Sequence, residues 1–566
     1  AAGTTAPPAI TLVTTAAPPA PGATPLPLIP VTAPGEAPGL LVPDCGAFPC
    51  GALNSRTYSG TGIGIWRYNN TSGTTATLDI GIAGVTPGKS ATLVFSNGSA
   101  AAAASPNAGA RASAESVSGV PAERSLPEAL SVQERHEHAH TQMQGKNRLI
   151  STALIRNRAS AGPSSEAGTG ARVASPRFSL SPAVGATRSW IDSYPEIPVS
   201  YPTSAQFVCA LPSGRNIVWW VDPTIVSSGK FTASAWSAAL SGMQRSYCGA
   251  TGGLARLNAL LGEVWGPAAA KEPALIQDAP GALQDVNVVL LNVPSSSGWA
   301  GYFYGGNNFL KSSISTSNEA LAFFINADQI KIDLEFATST LMHESTHMVN
   351  FYERAVARDV VHDTWLEETT AMMTEDIVTP TVVNGYNKVL SYRLPIYLAA
   401  GGNVSYINWP AATDPSAHYA LGAGFAAFLN RRYGLSIYRQ LVDACRDGAS
   451  NSSALTSQRC LDGLIKANGG AGFADEFARF GGTVFGQLPS VGAPSGYGYP
   501  SVVAGPYVLQ AKDLSTTRLG PAAPITAPFA ATSHAYQRDT LGSGTTTYAR
   551  SGVEVPANTS LTLVIK

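Results

Sequence analysis

The spacing of apolar residues along the chain divides it into segments of different character. Up to residue 40 there is no period. Ala, Pro and Thr dominate, and because proline fixes φ and lacks a donor, an extended stretch is expected for 1–40. Across 41–100 alternation sets in. Gly62–Trp66 and Ala76–Ile80 place apolar side chains on every second residue, broken by Asn69-Asn70 and Pro87-Gly88-Lys89, which predicts a small β-sandwich. Residues 101–195 are again rich in Ala, Ser and Gly, with one polar helix near Glu128–Arg148, and read as a linker or pro-segment. From 196 to 485 the pattern strengthens. Strands are predicted at Asn216–Val221, Val286–Val293, Ala300–Tyr304 and Leu321–Asn326, and helices at Ala233–Tyr247, Leu334–Arg358, Thr364–Val378, Tyr419–Arg432 and Ile437–Ala444. Strands followed by helices predict an α+β domain. Short β runs return in 486–566, at Tyr507–Gln510 and Ser560–Ile565, and predict a C-terminal β-sandwich. The fold class is therefore multidomain, an α+β domain flanked by β-sandwich domains.

Composition narrows the function classes. The chain has 566 residues, too many for one core, and only 13% are charged, about half of the usual ~25%. Its formal net charge of -1 argues against binding nucleic acid or an anionic membrane surface. No apolar run is long enough to span a bilayer. Six cysteines, Cys45, Cys50, Cys209, Cys248, Cys445 and Cys460, are spread without any CxxC. An even count without metal-type spacing favours disulfides, and neighbours in sequence are the expected pairs among fifteen connectivities. The numbering starts at Ala1, so a secreted monomer whose signal peptide has been removed is expected.

The chemistry lies in Leu341-Met342-His343-Glu344-Ser345-Thr346-His347-Met348-Val349. On a helix, positions i and i+4 share a face, so His343 and His347 can reach one zinc ion, and Glu344 beside them can take a proton from water. A catalytic zinc needs a third protein ligand and an open position. Glu367 and Glu368 both follow on the next helix. Thr364 and Glu367 fit a capping box, which assigns Glu367 a structural role and leaves Glu368 as the metal ligand. Glu375 shares the face of Glu368 and can hydrogen-bond the outer nitrogen of a ligating histidine. His362, before the helix, is a weaker candidate for the third ligand.

A second HExxH, His136-Glu137-His138-Ala139-His140, lies in the low-complexity region. No apolar face buries it and no acidic ligand follows, so it reads as a solvated polar helix or an adventitious metal site. The longer metzincin pattern needs Gly at 350 and His at 353, where Asn350 and Glu353 stand. Without that glycine the helix is expected to continue.

The HExxH helix with Trp365-Leu366-Glu367-Glu368 resembles the gluzincin, thermolysin-like metallopeptidases, and is most similar to the hyicolysin family of secreted bacterial peptidases. Where that family has Trp-Leu-Asn-Glu, this chain has Glu367 in place of Asn. The segment Tyr419–Leu429 resembles the tyrosine-bearing helix of aminopeptidase-N-like gluzincins, which implies that Tyr419 supports the oxyanion, with His418 as the rival donor. The resemblance implies a thermolysin-like fold for 196–485, one catalytic Zn2+, protein or peptide substrates, and peptide hydrolysis with Glu344 as base. A Gly-x-Met-Glu-Asn anchor for a substrate amine is absent ahead of the HExxH helix, which favours an endopeptidase. The alternative is a surface adhesin or binding protein whose zinc site is not catalytic. The glutamate beside the first histidine argues against it.

Overall fold

The computed structural model describes residues 40–45, 50–111, 128–160, 182–279, 282–409, 415–445, 454–522 and 528–566. The extended stretch expected before residue 40, and the parts of the expected linker at 112–127 and 161–181, lie outside them. The central unit is a six-stranded mixed sheet. In chain order its strands are β1 (Thr187–Asp192), β2 (Val199–Ala210), β3 (Asn216–Val221), β4 (Val286–Leu291), β5 (Gly301–Phe303) and β6 (Leu321–Asn326). Spatially they run β5-β6-β4-β3-β2-β1. β3, β4 and β6 are parallel, whereas β5, β2 and β1 join antiparallel. β4 and β6 are buried on both faces, which is why they read as mostly apolar runs, with Asn287 and Asn326 as the polar exceptions. Ile217, Trp219, Val288 and Phe323 pack on the helical side, and Val218, Trp220, Val289 and Phe324 join Trp190, Trp299 and Tyr302 on the other.

Six helices matter for the site: α1 (Glu128–Ser160), α2 (Ala233–Tyr247), α3 (Leu334–Asn350), α4 (Thr364–Ile377), α5 (Ser416–Tyr433) and α6 (Phe473–Phe485). α3 starts where the Asp333 carboxylate accepts the Phe336 N–H at 2.9 Å, a side-chain N-cap. Its apolar residues Leu341, Met342, Met348 and Val349 enter the main core. Past Asn350 it continues as a π turn, Phe351–Val356, in keeping with the lack of a helix-ending glycine. Gly301 lets β5 lie close to α3. A Cβ there would sit 2.7 Å from the Thr340 methyl and 3.0 Å from the Phe324 carbonyl.

The two expected β modules, at 41–100 and 486–566, form one unit. One sheet orders Val42–Pro43, Gly64–Asn69, Ser560–Ile565, Ser90–Asn97 and Ser533–Thr540; the other orders Ala52–Asn54, Thr57–Tyr58, Ala76–Ala83, Thr547–Val555 and Ala110–Arg111. The last strand, Ser560–Ile565, sits between two N-terminal strands. A single core takes Trp66, Ile80 and Phe95 from one end of the chain and Val553 and Leu563 from the other. Alternation tells which face of a strand is buried but not which strand lies beside it, so two halves of one unit read as two. Tyr507–Leu509 belongs elsewhere. It pairs with Val502–Ala504 in a separate two-stranded sheet and packs on the central core.

The cysteines pair as neighbours, Cys45–Cys50, Cys209–Cys248 and Cys445–Cys460. An alternating ring of buried and half-buried charges ties the β unit to α6. Arg67 reaches Asp44 at 3.0 Å and Asp475 at 2.7 Å, and Arg479 reaches the same two carboxylates at 2.8 and 3.0 Å. Burial raises the Asp475 carboxyl, but Arg67 and Arg479 outweigh it and hold the group below its ordinary value. A depressed carboxyl stabilises the fold fully above the ordinary Asp range near pH ~4, and that contribution is lost as pH falls through the folded value. Asp475→Asn is expected to cost about 1.5–3 kcal/mol at neutral pH, because it removes charged hydrogen bonds and leaves Arg67 and Arg479 to share Asp44 alone. Denaturant unfolding at pH 7 and pH 3 checks this, with the difference between the proteins shrinking at the lower pH.

Candidate metal centre and active site

α3 and α4 meet along a seam of short polar side chains. Thr346 and Thr374 hydroxyls lie 2.8 Å apart, and the Asn350 amide donates to Thr370 Oγ1 at 2.8 Å. Close packing at this seam faces the histidines of α3 toward the carboxylates of α4. His343 Nε2 is 3.2 Å from Glu368 Oε2 and His347 Nε2 is 3.7 Å from Glu368 Oε1. All three residues are buried. A fourth group joins them from α1. His140 Nδ1 lies 3.0 Å from Glu368 Oε1, and one ligand atom from each of His140, His343, His347 and Glu368 lies within 4.8 Å of the others.

The outer nitrogens settle the tautomers. His343 Nδ1 is 3.0 Å from Glu375 Oε1 and His347 Nδ1 is 2.9 Å from Glu367 Oε1. Ionised carboxylates only accept, so with a cation at the common centre each Nδ1 carries the proton and each Nε2 turns its lone pair inward. His347 Nε2 is buried with no hydrogen-bond partner among the described residues, and buried Glu368 Oε1 faces only imidazole nitrogens, His140 Nδ1 at 3.0 Å and His347 Nε2 at 3.7 Å. Such groups are costly unless a cation takes their lone pairs. The donor set, imidazole nitrogens with one carboxylate and no thiolate, fits a divalent ion of the zinc type.

Glu375 sits in a buried network of its own, 2.9 Å from Lys388 Nζ and 2.7 Å from Arg393 Nε. Burial raises its carboxyl, but Arg393 and Lys388 outweigh that and hold it well below the usual range. Glu367 departs from the capping box. The helix cap is Asp363, with no side-chain cap bond, so Thr364 is already the first helical residue and has no free cap geometry to offer. The Glu367 carboxylate instead accepts from His347 and from the Asn350 amide at 2.9 Å.

Glu344 is buried beside the cluster but outside it, with its two oxygens 3.1 and 3.3 Å from His140 Nε2. Tyr419 faces the same imidazole from the opposite side, its hydroxyl 3.3 Å from His140 Nδ1. Burial, followed by the Glu368 charge, pushes the phenol well above its ordinary value, so it remains a donor. His418 has Nδ1 2.6 Å from the Ser405 carbonyl. His362 lies outside the four-residue group and lines a cavity shared with His347, Glu367 and Asn147.

Residues 202–566, well over half of the chain, match the family model Peptidase M30. The chain belongs to the Peptidase M30 family. It is therefore a metallopeptidase, a hydrolase acting on peptide bonds. Residues 43–108 match a domain of unknown function (DUF8571). A search of the curated proteins returns no match.

In this M30 peptidase the segment set aside as solvated holds a residue of the cluster. His136, Glu137 and His140 are all buried. The sequence carried one signal of this: three of the chain's eight histidines fall within 136–140, and His136 and His140 have the same i, i+4 spacing as His343 and His347. The roles of Glu367, Lys388 and Arg393 had no such signal.

Two substitutions should separate metal binding from stability. Glu367→Ala is expected to weaken metal affinity by about 10–100-fold, since it frees the His347 ring, while leaving unfolding nearly unchanged. Glu375→Ala is expected to do both, with about 3–5 kcal/mol lost because buried Lys388 and Arg393 lose their shared carboxylate. Zinc titration against a competing chelator, paired with denaturant unfolding, measures each effect.

Proposed function

We propose that the chain is a secreted zinc endopeptidase in which His343, His347 and Glu368 hold one ion, Glu344 is the general base and Tyr419 supports the oxyanion. The observation that carries this reading is the position of Glu344. Its carboxylate is buried next to the cluster without being part of it, where a structural site would need no such group. Across from it stands the Tyr419 hydroxyl. One imidazole touches both, so a reacting carbonyl seated between them would be within reach of a base and a donor.

Zinc bound at this centre supplies Lewis acidity, lowering the pKa of water toward ~7 and polarising the scissile carbonyl. Glu344 accepts the proton of the attacking water and returns it to the leaving amine. Tyr419, kept protonated by burial, donates to the oxygen of the tetrahedral intermediate. Glu375 and Glu367 hold the two ligating rings in one tautomer and one orientation. His418 is the second choice for the donor, since its ring is engaged by the Ser405 carbonyl.

Three disulfides support an oxidising, extracellular location, and no helix among the described residues is long and apolar enough to cross a membrane. The likeness to hyicolysins and a thermolysin-like arrangement belong to this same reading.

Glu344→Gln is expected to retain zinc and lose at least about 10²-fold in peptide hydrolysis, and Tyr419→Phe to lose about 10²–10³-fold with metal and fold intact. Casein digestion with and without chelator, alongside zinc analysis, tests both. A zinc-loaded Glu344→Gln chain cleaving at the native rate would reject the assignment.

A further inference from the structure

We infer that α1 is an in-chain inhibitor of the peptidase: His140 takes the fourth position on the bound metal, and the helix fills the cleft in the place of substrate. This rests on the peptidase reading above and adds to it a state of the enzyme.

Three independent observations lead there. The first is coordination. Three protein ligands leave a metal position open for water, whereas four close it, and closed sites are structural rather than catalytic. His140 Nδ1 lies 3.0 Å from Glu368 Oε1 while its Nε2 lies 3.1 Å from Glu344 Oε1. One ring thus occupies the side of the site that water and the scissile carbonyl need. The Tyr419 hydroxyl is taken as well, 3.3 Å from His140 Nδ1 and 3.3 Å from Thr141 Oγ1.

The second is the sheet edge. β5 is the terminal strand of its sheet, and a terminal strand offers backbone donors and acceptors to any extended chain beside it. α1 side chains satisfy such groups on and beside it. The Ala300 N–H donates to His136 Nδ1 at 2.9 Å, the Phe303 carbonyl accepts from Asn147 Nδ2 at 2.9 Å, and the Gly305 N–H donates to Asn147 Oδ1 at 2.8 Å. Met143 and Ala139 pack with Trp299 and Tyr302. The helix therefore takes both the metal's open side and the strand edge next to it.

The third is where the helix belongs in the chain. The family match begins at residue 202 and the second match ends at 108. α1 lies between them and outside both. Its hold on the peptidase unit is apolar in part, through buried Met143 and Leu154, and polar in part. Glu137 reaches Arg393 at 2.7 Å, Lys146 the Ser193 carbonyl at 3.0 Å, Arg148 reaches Asp363 at 2.7 Å and Arg158 reaches Asp359 at 2.7 Å. Of these, the partly exposed Arg158–Asp359 pair is the contact that water replaces most readily when the helix leaves.

The test uses the full-length chain, loaded with zinc or with cobalt. X-ray absorption at the zinc edge counts imidazoles, and the visible cobalt spectrum reports whether acetohydroxamate reaches the metal. The native chain is expected to show three imidazoles and a spectrum unmoved by acetohydroxamate. His140→Ala is expected to show two and to shift on addition of the probe. Asn147→Asp keeps every ligand but removes the donor to the Phe303 carbonyl, so it is the variant to rely on if His140→Ala fails to fold. Its casein hydrolysis is expected to rise by at least roughly tenfold, as the fraction with an open cleft grows. A native chain with two imidazoles that takes acetohydroxamate as His140→Ala does would overturn the inference. So would native casein cleavage as fast as that of both variants, and the peptidase reading would then stand. Variants that bind acetohydroxamate with zinc in place but leave casein intact would support the blocked position and overturn the peptidase reading instead.

Discussion

The site depends on the packing of α3 against α4. Neither helix alone makes the cluster: α3 brings two imidazoles a turn apart, and α4 brings the Glu368 carboxylate that meets them. Their seam is built from Thr346, Asn350, Thr370 and Thr374, side chains short enough for close approach and polar enough to fix the rotation of one helix about the other. On the far side Glu375 is shared among His343, Lys388 and Arg393. That carboxylate orients a ligand while neutralising two buried cations, so metal affinity and folding stability meet in one residue. Such networks are stable only when complete, which makes the arrangement rigid and intolerant of single losses.

Much of this centre was legible in the sequence because a helix converts spacing into direction. His343 and His347 at i, i+4 lie on one face, and Glu368 and Glu375, seven apart, lie on one face of the next helix. The strands at Asn216–Val221 and Leu321–Asn326 were legible for a related reason: a run buried on both faces has to be mostly apolar. Glu367 was misassigned because a capping box depends on which residue is the cap, and Thr364 is one residue past it. A shift of one position moved the carboxylate from the helix start to the His347 ring.

α1 was missed for a different physical reason. Periodicity analysis finds a buried face by its apolar residues, but the buried face of α1 carries His136, His140, Gln144, Asn147 and Ser151. Their spacing of three and four is helical, yet their polarity reads as solvent exposure. A face that binds metal and backbone groups has to be polar, so its burial is invisible to a hydrophobicity pattern. The β unit failed at another level. Its strands were found, but the pairing of Ser560–Ile565 with Gly64–Asn69 and Ser90–Asn97 joins the two ends of the chain, and nothing local in either end encodes that.

Function here is a question of which groups share one small volume. Two imidazoles and a carboxylate converge, a second carboxylate stands beside them, a phenol faces it, and a third imidazole, from α1, fills the gap. The most direct test is anomalous diffraction at the zinc edge from crystals of the intact chain grown with zinc. The account predicts one strong peak about 2.0–2.2 Å from His343 Nε2, His347 Nε2 and a Glu368 oxygen. A peak elsewhere, or zinc-bearing crystals with Glu368 turned away from both histidines, would contradict it.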